Sequence, residues 1–263
     1  MEKSTVEVLK EACMRVRKVA KGLAGTALGK KGHTRGAGGD ISTRLDLLAE
    51  RTAIQVARKN GLDATVIAEE SGITEGKKGF LVIDAIDGTT NAGHGIPFYC
   101  CSMAYATSDS LSSITDAVII DIANGQTYWS CAGKGAYLGS RRLRVNKKFE
   151  SVAGIDISGV SELTLSRLAP AITTIKHVRQ LGSAALELCF LASGMLDACI
   201  DFRDKIRPTD IAAGYLIAKE AGAQFYARDG SELDSSLAVE NRLSFFAASP
   251  EAYRELSSKL FRG

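Results

Sequence analysis

Apolar positions Val6, Leu9, Cys13, Val16, Val19, Ala20 and Leu23 recur at helical spacing, with Lys and Arg between them. That pattern predicts an amphipathic helix over residues 4–24. Glycines then crowd positions 25, 29, 32, 36, 38 and 39 among Lys30, Lys31, His33 and Arg35. The stretch reads either as a cationic surface loop or as a disordered connector. It is no P-loop, because Lys31 stands where Ser or Thr is needed and Ala24 where the first glycine is. From Ile41 to Asn60 the helical period returns through Leu45, Leu48, Ala49, Ala53 and Val56, with Asp40 or Ser42 as the cap.

Short β-rich runs follow at 64–68, 80–83, 97–107, 113–122 and 127–130. Gly133 to Gly139 imitates a dinucleotide fingerprint, but its third glycine comes one place late and strand-like Leu143-Arg144-Val145 follows. Hairpin turns are expected there. The pattern changes near 147–152. Strands at 152–157, 175–181, 198–202, 224–227 and 244–247 then alternate with helices at 163–172, 183–192, 209–221 and from Pro250. Thr209 is the expected N-cap of its helix and Gly222 the stop. The expected division is an N-terminal α+β domain over residues 1–148 and a C-terminal α/β domain over 149–263.

Composition narrows the class. The chain has 263 residues, 45% hydrophobic and 24% charged, as in a soluble globular protein with a sizeable core. A formal charge of +3 is too small to argue for nucleic acid, and Arg141, Arg142, Arg144, Lys147 and Lys148 read as a solvated hairpin. The charged N-terminus lacks a signal-type apolar core, and no apolar run approaches spanning length. A cytoplasmic protein with no membrane partner is expected. Six cysteines without a Cys-x-x-Cys pair, and three scattered histidines, leave no basis for a disulfide framework, a zinc site or a His-based triad.

The candidate chemistry lies in carboxylates. Phe80-Leu81-Val82-Ile83 reads as a buried strand that ends at Asp84, followed by Asp87 and Gly88-Thr89-Thr90. Open α/β sheets hold ligands at the carboxyl ends of strands. A single Asp there also fits an ordinary Asx turn. The strand at 64–68 likewise runs into Glu69-Glu70, and Asp210 falls in a first helical turn, where an acid is routine. Asp46 alone reads as a solvated acid on a helix. Were Glu69, Asp84, Asp87 and Asp210 to converge, two unit charges ~4 Å apart would repel by roughly 4 kcal/mol at an effective dielectric of 20. Shared protons or a cation would have to sit among them. An all-oxygen set suits Mg²⁺ or Mn²⁺ rather than zinc, and the donor-rich turn at 88–90 suits a phosphate ester.

Asp84-Ala-Ile-Asp-Gly-Thr-Thr-Asn91, preceded by Ile67-Ala-Glu-Glu-Ser71 and followed by Thr209-Asp-Ile-Ala-Ala-Gly214 with Lys219-Glu-Ala-Gly222, resembles the inositol monophosphatase family. That group of Mg²⁺-dependent phosphatases includes fructose-1,6-bisphosphatases. Phe202-Arg-Asp-Lys-Ile-Arg-Pro-Thr-Asp210 is similar to the archaeal, dual-activity branch. Two positions depart from the usual pattern: Ala85 replaces a Pro and Thr209 a Trp.

The resemblance implies a layered α-β-α-β-α sandwich of the sugar phosphatase type, two or three Mg²⁺ (or Mn²⁺) ions per subunit, and a homodimer. It implies metal ligands at Glu69, Asp84, the Ile86 carbonyl, Asp87 and Asp210, with Asp46 and Thr89 activating the attacking water alongside Glu69. Backbone N–H groups at Gly88 and Thr89 would bind the phosphoryl group. Ser183, Ala184 and Asp201, with Asp87, would meet the rest of a small phosphorylated sugar or cyclitol. Arg179 and Arg203 lie in register with cationic positions of the archaeal branch, and Arg203, Lys205 and Arg207 form either a second-phosphate receptor or a solvated charged loop. The implied activity is hydrolysis of fructose 1,6-bisphosphate, inositol 1-phosphate or both, without a phosphoenzyme. The alternatives are a 3′-phosphoadenosine nucleotide or NADP phosphatase, and a non-catalytic metal- or phosphate-binding regulator.

Overall fold

The computed structural model describes residues 3–29, 31–37, 39 and 41–261. Lys30 and Asp40, assigned above to the cationic loop and its closing cap, lie outside them. Helix α1 (Thr5–Ala20) buries Val8, Leu9, Cys13 and Val16 on one face. The glycine-rich stretch forms an antiparallel hairpin of β1 (Gly32–Arg35) and β2 (Ile41–Thr43). Helix α2 (Arg44–Lys59) therefore starts three residues later than its periodicity predicts, and its cap is Thr43 rather than Asp40 or Ser42. Thr43 and Asp46 close a reciprocal capping box.

The first sheet contains β3 (Thr65–Ala68), β4 (Gly72–Thr74), β5 (Phe80–Asp87), β6 (Cys100–Ala106), β7 (Ile114–Asp121), β8 (Thr127–Cys131), β9 (Ala136–Leu138) and β10 (Arg141–Arg142). A short helix, α3 (Thr89–His94), follows β5. The strand order is β10-β9-β8-β7-β6-β5-β3-β4, antiparallel except for the β3–β5 pair. The strand expected at 143–145 is absent; β10 ends at Arg142, and Val145 instead donates its N–H to the Ala221 carbonyl.

The second half alternates β11 (Val152–Asp156), α4 (Glu162–Ile172), β12 (His177–Arg179), α5 (Ala184–Ala192), β13 (Ala198–Ile206), α6 (Pro208–Glu220), β14 (Gln224–Ala227), β15 (Leu243–Ala248) and α7 (Pro250–Leu260). Its sheet runs β12-β11-β13-β15-β14, with β12, β11 and β13 mutually parallel. Three apolar cores separate five layers. The first joins α1 and α2 to one face of the large sheet, and the second packs α5 and α6 between the two sheets. The third holds α4 and α7 against the outer face of the small sheet. This is the α-β-α-β-α sandwich that the resemblance implies. No helix among the described residues is long and apolar enough to cross a membrane.

Two details of this frame position the site. Strand β5 does not stop at Asp84; it continues to Asp87, and its register against β6 shifts between them. Asp84 pairs with Ser102 and Asp87 with Cys100. In a regular strand, residues three apart point to opposite faces. The extra residue of this bulge returns Asp87 to the face that carries Asp84. Helix α6 begins at Pro208 with Arg207, not Thr209, as its N-cap. Proline is favoured at the first helical position because its missing N–H costs nothing there. Asp210 thus falls at the third position and accepts a hydrogen bond from the Arg207 N–H at 2.8 Å.

Candidate active site

Carboxylate oxygens of Glu69, Asp84 and Asp210 lie within 4.8 Å of one another, brought together from the end of β3, the bulged end of β5 and the first turn of α6. Asp84 is 3% exposed and accepts one hydrogen bond, from the Ile86 N–H at 3.1 Å. Burial, followed by the charges of Glu69, Asp87 and Asp210, drives its pKa well above the usual carboxylate range. The Glu69 carboxyl is pushed up to about 8 by burial and then by Asp210, against the opposing pull of Arg207. Asp210 is raised as well, mainly by burial. Acids this close and this dry keep their protons to higher pH than free carboxylates do, unless a cation replaces them. An all-oxygen donor set of this kind fits a hard divalent metal.

Asp87 adjoins the cluster but is held differently. Its Oδ2 accepts from Ser183 Oγ at 2.6 Å and from the Ala185 N–H at 2.7 Å, so it ties β5 to the N-terminus of α5. Burial lifts its pKa to about 7, against those two donors. The Ile86 carbonyl, another expected ligand, accepts from Thr89 Oγ1 at 3.0 Å.

The same Thr89 hydroxyl lies 3.3 Å from Asp46 Oδ1. Asp46 Oδ2 is fixed by Thr43 through its N–H at 2.8 Å and its hydroxyl at 2.7 Å. The capping box therefore aims a buried carboxylate at Thr89, and Asp46 is no solvated helix acid. Burial raises its pKa, partly offset by Thr43. Gly88, with φ +93°, makes the turn into α3. A Cβ there would stand 3.0 Å from the Phe98 carbonyl oxygen and 3.2 Å from that of Gly182. Gly88→Ala should lower unfolding stability by about 1–3 kcal/mol and displace Thr89. Urea unfolding with parallel activity assays checks this, and an unchanged midpoint would contradict it.

A cavity of about 450 Å³ opens beside the acids, bounded by Asp87, Ser183, Ala184, Asp201, Arg203 and Arg207 among others. Arg207 Nη1 donates to Glu69 Oε1 at 2.7 Å and lies 3.9 Å from Asp210 Oδ1. Arg203 faces the cavity with its fork engaged: Nε and Nη2 meet the Asp201 carboxylate, and Nη1 meets Asp156 Oδ2 at 2.8 Å. Arg179 does not line this cavity; its side chain is exposed and returns to the neighbouring Val178 carbonyl. Lys205 is also exposed and contacts the Gly159 carbonyl at 3.4 Å.

Several supporting residues have no counterpart in the sequence reading. Glu50 is buried and accepts from the N–H groups of Glu70 and Ser71, which fixes the turn that presents Glu69. Its position one helical turn after Asp46 was the available signal. Asn91 Nδ2 binds the carbonyls of Phe98 and Leu181, and Glu187 accepts from the N–H groups of Leu181 and Gly182. Together these clamp the 181–183 turn against β5. No local pattern marks Asp156.

A family model described as the inositol monophosphatase family matches residues 2–261. The chain belongs to the inositol monophosphatase family. It is 35% identical over 226 residues to a fructose-1,6-bisphosphatase/inositol-1-monophosphatase of Methanothermobacter thermautotrophicus, covering 81% of this chain and 80% of the relative. A bifunctional NADP phosphatase/NAD kinase of Methanococcus maripaludis is 32% identical over 248 residues, which is 84% of this chain and 43% of that protein. A solved inositol monophosphatase–fructose 1,6-bisphosphatase superposes with a TM-score of 0.84 at 26% identity, covering 98% of this chain and 99% of that one. As an inositol monophosphatase family member, the protein is a metal-dependent phosphatase, a hydrolase acting on small phosphorylated substrates.

Proposed function

We propose that this protein is a Mg²⁺-dependent phosphomonoesterase for a small phosphorylated polyol, with inositol 1-phosphate and fructose 1,6-bisphosphate as its candidate substrates. The observation that carries the proposal is the meeting of Glu69, Asp84 and Asp210 within 4.8 Å beside the Asp46–Thr89 contact. Held by those three acids with Asp87 and the Ile86 carbonyl, divalent ions would neutralise the phosphoryl oxygens and acidify a water.

The chain's own groups supply the remainder. Asp46, anchored by Thr43 and facing the Thr89 hydroxyl, is placed to take a proton that Thr89 relays from the attacking water. N–H groups at the start of α3 orient the phosphoryl group, and no side chain needs to carry it. Ser183 fixes Asp87, and the cavity beyond receives the alcohol. A proton relay is of no use to a binding-only regulator, which favours the enzyme reading over that alternative. NADP remains a second substrate reading because a relative bears that activity in its name.

The test is phosphate release from inositol 1-phosphate, fructose 1,6-bisphosphate, NADP and 3′-phosphoadenosine nucleotides, with Mg²⁺ and with chelator. Thr89→Ala should lower kcat by about 10²-fold while KM stays within a few-fold, and Thr89→Ser should recover most of the loss. Equal rates for wild type and Thr89→Ala would remove Thr89 from the proton path.

A further inference from the structure

Asp156 closes β11 and Asp201 sits beside it in register on β13, so two carboxylates stand side by side on neighbouring parallel strands. Like charges so placed repel unless a cation lies between them. Arg203 fills that place, with its guanidinium donating to Asp201 Oδ2 at 2.6 Å and to Asp156 Oδ2 at 2.8 Å. Further hydrogen bonds hold the assembly in place. Asp156 Oδ1 accepts from the Ser158 N–H at 2.9 Å and from Gln180 Nε2 at 3.1 Å, and Asp201 Oδ1 accepts from the Arg203 N–H at 3.0 Å. Side-chain exposure is 5% for Asp201, 16% for Arg203 and 24% for Asp156, so the group is fixed yet faces the cavity.

This geometry runs against a second-phosphate receptor. A guanidinium has five N–H donors, and three of these are spent on the two acids. Two carboxylates around one guanidinium leave a formal charge of −1. A phosphate arriving there meets a negative wall and has to break existing pairs. A hydroxyl meets no such penalty, since it accepts from a spare N–H and donates to a carboxylate oxygen at once. Two adjacent hydroxyls match two spare N–H donors flanked by two acids.

We infer that Asp156, Arg203 and Asp201 form a specificity wall that reads adjacent hydroxyls of a polyol monophosphate and discriminates against a substrate carrying a second phosphate. The inference rests on the phosphomonoesterase reading above and selects between its two candidate substrates. Asp156 is the discriminating residue. It supplies the second negative charge, and it denies Arg203 the freedom to turn toward a phosphate.

The test is kcat/KM, with saturating Mg²⁺, for inositol 1-phosphate and for fructose 1,6-bisphosphate. Wild type should favour the monophosphate by at least about tenfold. Asp156→Asn should shift that ratio toward the bisphosphate by about fivefold or more, chiefly through KM, while Asp156→Glu keeps the wild-type preference. Should Asp156→Asn fail to fold, Arg203→Lys carries the test: it keeps the charge but loses the fork, so the monophosphate preference should collapse. A wild type that prefers the bisphosphate, or a ratio unmoved in both variants, overturns the inference and leaves the phosphatase reading standing. Absence of Mg²⁺-dependent release from either ester in wild type overturns both.

Discussion

Asp84→Asn should abolish Mg²⁺-dependent phosphate release, lowering kcat/KM by about 10³-fold or more, while the folded protein without metal is no less stable than wild type. The two halves of this expectation share one cause. Asp84 is the most deeply buried of the three converging acids, and the charges of Glu69, Asp87 and Asp210 all act against its ionisation. In chelator, ionising it opposes the fold. Asn keeps the shape and can still accept from the Ile86 N–H, so nothing in the packing is lost. With a divalent ion the balance reverses, because the charge that strains the empty fold is the one the cation needs. The variant should therefore show an unfolding temperature in chelator equal to or above wild type, and a much smaller rise on adding Mg²⁺. Retained turnover in Asp84→Asn would sink the assignment. Asp87→Asn is a useful contrast: its Oδ2 already serves Ser183 and Ala185, so that change should cost stability as well as activity.

The elements that carry regular periodicity were legible in the sequence, and the joints between them were not. Helices α1 and α2 announce themselves through one apolar face, α4 and α5 lie within a residue of their expected ends, and α7 starts at the expected Pro250. Strand β5 was read as four residues because two acids look like a terminus. The strand continues because a bulge, which leaves no mark in composition, turns both acids to one face. The cap of α6 was missed for another reason. Thr209 is the better capping residue by type, but Pro208 claims the first helical position and pushes the cap back to Arg207. Pro208 was the signal. The glycine-rich stretch concealed the β1–β2 hairpin because glycine carries no apolar alternation to read. Asp156 and Arg203 are brought together only by strand pairing across the small sheet, so a second-phosphate role for Arg203 was a fair reading of the sequence and one that its neighbours now oppose.

Stability without metal should fall steeply as pH rises from about 5 to 8.5, and Mg²⁺ should erase the share of that fall that belongs to Glu69 and Asp87. The sign follows from which state holds protons. The Glu69 carboxyl moves from its ordinary 4.5 up to about 8 on folding, and Asp87 from 3.8 up to about 7, in both cases chiefly through burial. Glu70 and Glu187 each reach about 7, again mainly by burial. Below about pH 3 these groups are protonated whether folded or not, and they cost nothing. Between the unfolded and folded values the native state binds more protons than the unfolded chain, so unfolding free energy declines with pH throughout that window. Above about 8 both states are ionised and the full penalty is in place. For the coupled cluster this amounts to something on the order of 5 kcal/mol, or an unfolding temperature lower by about 10 °C at pH 8.5 than at pH 5 in chelator. Cation binding must displace the protons still held at neutral pH, so calorimetric titration with Mg²⁺ in buffers of different ionisation enthalpy should register proton release. The Mg²⁺-induced rise in unfolding temperature should accordingly grow from pH 5 to pH 8. Asp84→Asn, with one charge fewer in the cluster, should flatten the chelator curve. A curve already flat in wild type, or Mg²⁺ binding that releases no protons at pH 7, would mean that these acids do not face one another as a single ionising group.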